Sequence, residues 1–282
     1  MLNNGICVTN NRPNNRSMNT ARNRLKRRFY RRGPDYRFGD QASFEEIKAT
    51  FGFKTITLGA WVDKQEQHIA ANLLYDALAD LTQILSVPPV TIGLRGTLNL
   101  AFGSGGQAGV QAHYDSNQRT LALAKNAGGG ALAHEWWHAF DHYIAKHMFD
   151  NVRAHDFASA LWLTQTPNLT HPLNQQLDTL FRLLLLDKSG LESSNYFKHA
   201  LLLDKARGTQ YYARPQELTA RAFEWVIANN PHISNAFLVD DVLDSALERQ
   251  GGFPGESIAA ETCHATSSYF QMLGAALYRQ MQ

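Results

Sequence analysis

The hydrophobic positions fall into two regimes: a first half mixing short alternating runs with helical periods, and a second half that is helical throughout. Ser43-Phe-Glu-Glu46 has the form of a capping box and predicts a short helix that ends at Gly52. Phe53–Leu58 alternates and is β-rich, which predicts a strand. A second capping signal, Asp63-x-x-Glu66, precedes apolar residues that keep to one helical face from Ile69 to Leu85. A helix of about 20 residues is expected there, stopped by Pro88-Pro89.

Three short runs follow, Thr97–Phe102, Gly109–Tyr114 and Thr120–Ala124, and the last two read as a hairpin across Asp115-Ser-Asn-Gln118. Gly128-Gly-Gly130 then leads into Ala131–Tyr143, where Leu132, Trp136, Ala139, Phe140 and Tyr143 form an apolar helical face. Beyond Asn151 helices are predicted at about Ala154–Thr164, Leu173–Leu186, Leu191–Lys205, Pro215–Ala228 and Ser257–Arg279. The fold class is α+β. Gly251-Gly-Phe-Pro-Gly255 reads as a loop rather than a linker, so residues 38–282 are expected to form one domain. Residues 38–150 would hold the strands, and residues 151–282 the helical half.

The composition, 44% hydrophobic and 18% charged over 282 residues, is that of a globular protein with a sizeable core. Two cysteines, Cys7 and Cys263, argue against a disulfide framework and a cysteine metal site. No apolar run is long enough to span a membrane, and the N-terminus lacks a signal peptide's apolar core, so a cytoplasmic location is expected. Charge is uneven. Residues 1–37 carry ten of the 27 basic residues and one acid, which leaves the remainder at −7 against a total of +2. A disordered basic tail is expected over residues 1–37, with a transient helix near Ala21–Tyr30. Its uses are contact with nucleic acid, helped by stacking of Phe29 and Tyr30, a solvated tail, or a segment that packs on the acidic body.

The chemistry concentrates in His134-Glu135-x-x-His138. Four-residue spacing places both imidazoles on one helical face, where they can converge on one ion, and Glu135 sits about 100° further round. There it can reach a water at the metal without being a ligand, as a general base does. A catalytic zinc takes three protein ligands. A third histidine at 144 is absent, because Ile144 occupies that position; Gly208-Thr-Gln-Tyr211 likewise has Tyr211 where another zinc-site pattern requires Asp. A glutamate on the later helix fits: Pro215 suits a first helical position, and Glu217 lies in the first turn. Glu217 is the expected third ligand and Glu224 the reserve, against a reading of Glu217, Arg221 and Glu224 as a surface ion-pair ladder. Asp141 is a candidate to orient a ligand imidazole, or else a helix-surface acid or a partner of His142. His142 could face the cleft, and Tyr211 and Tyr212 are candidate donors to a developing oxyanion.

With Phe51-Gly-Phe-Lys-Thr-Ile-Thr-Leu-Gly-Ala-Trp-Val62, Leu100-Ala-Phe-Gly103, Ala112-His-Tyr114, Leu132–Asp141 and Pro215-x-Glu-Leu-x-Ala-Arg-Ala-Phe-Glu224, the chain resembles the zincin-like metallopeptidase domain of large polyvalent proteins of phages and mobile elements. It is also similar to the stand-alone bacterial CLCA_X family. The resemblance implies a zincin fold, with a small mixed sheet behind the motif helix and an edge strand beside the cleft. It further implies a peptidase with zinc on His134, His138 and Glu217. Arg221 departs from it, standing where glutamate zincins place an acid that buttresses a histidine. A zinc peptidase acting on a peptide or protein is therefore the expected function, with Glu135 as base. The rival is a non-catalytic zinc-binding or nucleic-acid-associated module, its metal closed off by Asp141 or His142.

Overall fold

The computed structural model describes Leu25 and residues 29–60, 62–104, 112–124 and 130–282. Among them lie six strands and nine α-helices. Both predicted capping boxes form. Ser43 starts α1 (Phe44–Phe51), which Gly52 closes in the left-handed conformation, and Asp63 starts α2 (Lys64–Leu85). A 3-10 turn over Pro89–Gly93 follows.

The main sheet has the order β2 (Ile56–Leu58), β3 (Asn99–Phe102), β5 (Thr120–Leu123), β4 (Ala112–Asp115). The first three run parallel, and β4 pairs antiparallel with β5. The sheet is mixed, and β4 stands at its edge. The expected hairpin forms; Gly109–Gln111 of the run assigned to its first strand lie outside the described residues.

Helix α3 (Leu132–Met148) carries the motif and runs through the centre of the core. Trp136 and Trp137, the two residues between Glu135 and His138, are among the largest fully buried side chains. Trp136 donates its indole N–H to the Ile92 carbonyl at 3.0 Å, and Trp137 to the Thr219 hydroxyl at 2.9 Å. Helix α3 has no side-chain cap. Its first turn is held instead by the 237–238 backbone: the Gly130 N–H donates to the Phe237 carbonyl and the Ala133 N–H to that of Leu238, at 3.1 and 3.2 Å. Gly130 must be glycine: its φ is +116°, and a Cβ would come within 2.7 Å of the Asp240 Cβ.

The second half holds α4 (Ala158–Trp162), α5 (Pro172–Leu185), α6 (Asn195–Arg207), α7 (Pro215–Ala228), α8 (Ala246–Arg249) and α9 (Glu256–Gln280). Helix α4 is shorter than expected because the chain before it is a turn, closed by the Arg153 N–H donating to the Asp156 carboxylate. Helix α6 starts later than Leu191 because Ser194 caps it, accepting from the Phe197 N–H at 3.0 Å.

Residues 29–37, expected to belong to the disordered basic tail, are held against the body. Arg31 and Arg32 form β1, paired antiparallel with β6 (Ser234–Asn235). Arg31 grips the fully buried Asp80 with two hydrogen bonds, at 2.7 and 2.8 Å, and Arg37 holds Asp76 in the same way. Carboxylates on α2 thus neutralise the cationic segment and fix it. The region assigned a transient helix lies, apart from Leu25, Phe29 and Tyr30, outside the described residues.

Candidate metal centre

Helices α3 and α7 pack face to face because their apolar residues interlock. Trp137 stacks on Phe223 with ring centroids 4.8 Å apart, and Trp136 meets the same ring at 5.6 Å. That contact turns His134 and His138 of α3 towards Glu217 and Glu224 of α7, and all four side chains are buried.

Three of them converge. His134 Nε2 and His138 Nε2 are 3.2 Å apart, and the Glu217 carboxylate lies 3.3 Å from the first and 3.5 Å from the second. The 3.3 Å distance is to Glu217 Oε2 and the 3.5 Å distance to Oε1, and one donor atom from each of the three residues lies within 4.8 Å of the others, within reach of a single ion. The fourth residue sets the tautomer. His134 donates Nδ1–H to Glu224 at 3.1 Å, which leaves the Nε2 lone pair facing the cluster. Imidazole and carboxylate lone pairs then meet in a buried space, and a cation satisfies them together. His134, His138 and Glu217 therefore fit a metal ion. His138 Nδ1, also buried, has no hydrogen-bond partner among the described residues.

Without an ion the Glu217 and Glu224 carboxylates favour a proton on His134, which must leave before Nε2 can bind a metal. Burial opposes charge on His134, yet its hydrogen bonds to Glu217 and Glu224 prevail and raise its pKa to about 10. Burial also pushes the Glu217 carboxyl up, but hydrogen bonds to both imidazoles hold it well below the usual carboxylate range. The site attracts positive charge.

Glu135 is not part of the triad. Its carboxylate accepts the Tyr114 backbone N–H of edge strand β4 at 2.8 Å. Burial pushes its pKa above the ordinary value, against the pull of His134 and His138. A basic carboxylate thus stands beside the cluster, fixed to the sheet edge.

The remaining candidates separate. Glu224 accepts from the His134 imidazole, the kind of contact considered for Asp141. Asp141 instead accepts from the N–H and hydroxyl of Ser159, at 2.8 and 2.5 Å, and so anchors the start of α4. Burial raises the Asp141 carboxyl to about 6, although the Ser159 bonds oppose this. His142 is no ligand: it donates Nε2–H to the Ala154 carbonyl at 2.8 Å and accepts the Tyr114 hydroxyl at Nδ1 at 2.6 Å. Both candidates for a closing fourth ligand are therefore engaged elsewhere. The surface ion-pair ladder does not form, because Glu217, Arg221 and Glu224 are all buried and Arg221 donates to the Gly252 and Tyr212 carbonyls.

The two tyrosines also part. Tyr211 lies close enough to Glu217 to feel its charge, and desolvation together with that charge raises its phenol pKa. Tyr212 bonds Arg207 through its hydroxyl, with its ring between the guanidinium groups of Arg207 and Arg221 at 4.7 and 5.3 Å. Among the described residues no contact joins the Tyr212 side chain to the metal cluster. The loop carrying both tyrosines hangs on Asp204, whose carboxylate accepts from the backbone N–H groups of residues 211, 212 and 213. No sequence signal marked Asp204, Ser159 or the Tyr114 backbone, because each acts through a contact that its own local pattern does not announce.

Fold and site together define an α+β protein with a buried His-His-Glu group able to hold a metal ion. The family model of large polyvalent protein-associated domain 1 matches residues 203–277, about a quarter of the chain. That stretch contains Asp204, Tyr211, Glu217 and Glu224, whereas the motif helix α3 lies outside it. Neither a curated protein nor a solved structure matches the chain.

Proposed function

We propose that the chain is a zinc-dependent peptidase of the glutamate-zincin kind. One observation carries the reading: the half-buried Glu135 carboxylate stands next to a three-donor cluster and is bonded to an edge strand. A purely structural metal site has no use for such a base. When bound, zinc supplies Lewis-acid polarisation of a carbonyl and makes water acidic near neutral pH. The protein's own residues do the rest. His134, His138 and Glu217 would hold the ion, and Glu224 keeps the His134 ring in the tautomer that presents Nε2. Glu135 takes a proton from the attacking water and returns it to the leaving amine, a role for which its place beside the cluster and its fixing to edge strand β4 suit it. Tyr211, at Glu217, is the donor we assign to the developing oxyanion.

The test is Glu135→Gln, assayed on a mixed peptide library by mass spectrometry. The variant should keep the metal content of the wild type and lose roughly 10²–10⁴-fold in turnover. Full turnover in that variant would overturn the reading.

A further inference from the structure

A cavity of about 160 Å³ opens between the sheet and the second half of α3. Leu94 and Leu98 line its apolar part, and Tyr114 and His142 contribute their polar rings. Its charged lining residues are Arg119, Lys146 and Arg153, all basic, although residues 38–282 carry a net charge of −7. Asp115 and Asp156 lie nearby, but neither lines the cavity. A cationic rim over a low-dielectric wall concentrates an anion's field in the cavity.

The backbone around it is strained. Leu94, Arg95 and Gly96 are left-handed in succession, with φ of +50°, +58° and +70°, and Arg119 at the β4–β5 turn has φ +50°. Non-glycine residues persist there only when their surroundings force them, and such outliers gather at binding sites. The cavity also adjoins the metal centre. Tyr114 sends its hydroxyl to His142 and its backbone N–H to Glu135, so one residue borders both sites.

We infer that this pocket binds a carboxylate on a short aliphatic stem, the side chain of a glutamate in a peptide laid across the site. Arg119, Lys146 and Arg153 meet the carboxylate, and Leu94 and Leu98 cover the stem. The inference deepens the peptidase reading by naming an acidic substrate class, and rests on it for the peptide as source of the carboxylate.

The experiment titrates the full-length protein with N-acetylglutamate α-amide and its neutral isostere N-acetylglutamine α-amide, followed by calorimetry or NMR. The glutamate compound should bind at least about tenfold more tightly, and the difference should vanish in an Arg119→Gln/Lys146→Gln double variant. Both residues are solvent-facing, so the fold should survive. Equal binding of the two compounds, or a preference that survives the double variant, overturns the inference. Inorganic phosphate is the third arm. Phosphate binding tighter than the glutamate compound, and lost in the double variant, would reassign the pocket to a free anion and overturn the glutamate assignment. A peptide library separates this inference from the proposed function. Acid-selective binding without cleavage of any peptide supports the pocket and refutes the peptidase, whereas cleavage with no acidic preference refutes the pocket.

Discussion

Glu224→Ala removes the acceptor that His134 Nδ1–H reaches at 3.1 Å, and leaves that buried donor without it. A hydrogen bond to a charged group contributes roughly 1.5–3 kcal/mol. Partners that orient a metal-binding histidine change affinity by about 10–100-fold, or about 1.4–2.7 kcal/mol, so the two scales agree. Zinc affinity should therefore fall by about 10–100-fold while stoichiometry stays at one ion per chain. Glu224→Gln keeps an acceptor and loses the charge, so its loss should sit at the low end of that range. The assay is competition against a chelating dye at one fixed neutral pH, with circular dichroism to confirm the fold. Unchanged affinity in Glu224→Ala would refute the orienting role. Complete loss of the ion there, together with its retention in Glu217→Ala, would exchange the roles of the two glutamates.

Two other carboxylates give separate predictions. Asp204 is buried, which alone would raise its pKa, but the Thr209 hydroxyl and three backbone N–H groups lower it to about 2. A depressed pKa stabilises the fold above the unfolded-state value near 4 and loses that contribution as pH falls through about 2, so Asp204→Asn should cost about 2 kcal/mol at neutral pH. Chemical denaturation across that acid range should show the wild type and variant converging; a constant gap would contradict the assignment. Asp80→Ala strands Arg31 and removes the acceptor of the Asn235 amide, so it should destabilise the protein by roughly 3–5 kcal/mol in urea unfolding. A loss under about 1 kcal/mol would mean that the 31–37 segment is not pinned as described.

What the sequence disclosed follows the range of the interactions. The capping boxes at Ser43 and Asp63 and the His134-Glu135-x-x-His138 spacing are local, and each is legible within one or two helical turns. Glu217 was legible because it follows Pro215 in the first turn of a helix, although the surface ladder fitted the same spacing. Only packing separates the two, since Phe223 against Trp136 and Trp137 turns that face of α7 inward. Asp141 is a candidate in sequence to orient His134 or His138 and Glu224 only a reserve ligand, but Ser159 occupies Asp141 and Glu224 is the acceptor that His134 meets. The Arg-rich N-terminus read as a tail because it has no apolar period. Its last residues are fixed by ion pairs to α2 far along the chain, a contact to which composition is blind.

The central claim is that His134, His138 and Glu217 hold one metal ion. Its most direct test is elemental analysis of the purified full-length protein, beside His138→Ala and Glu217→Ala, after zinc loading and removal of excess. We predict one zinc per chain in the wild type and its loss from both variants. Zinc retained without Glu217, or absent from the wild type after loading, would contradict it.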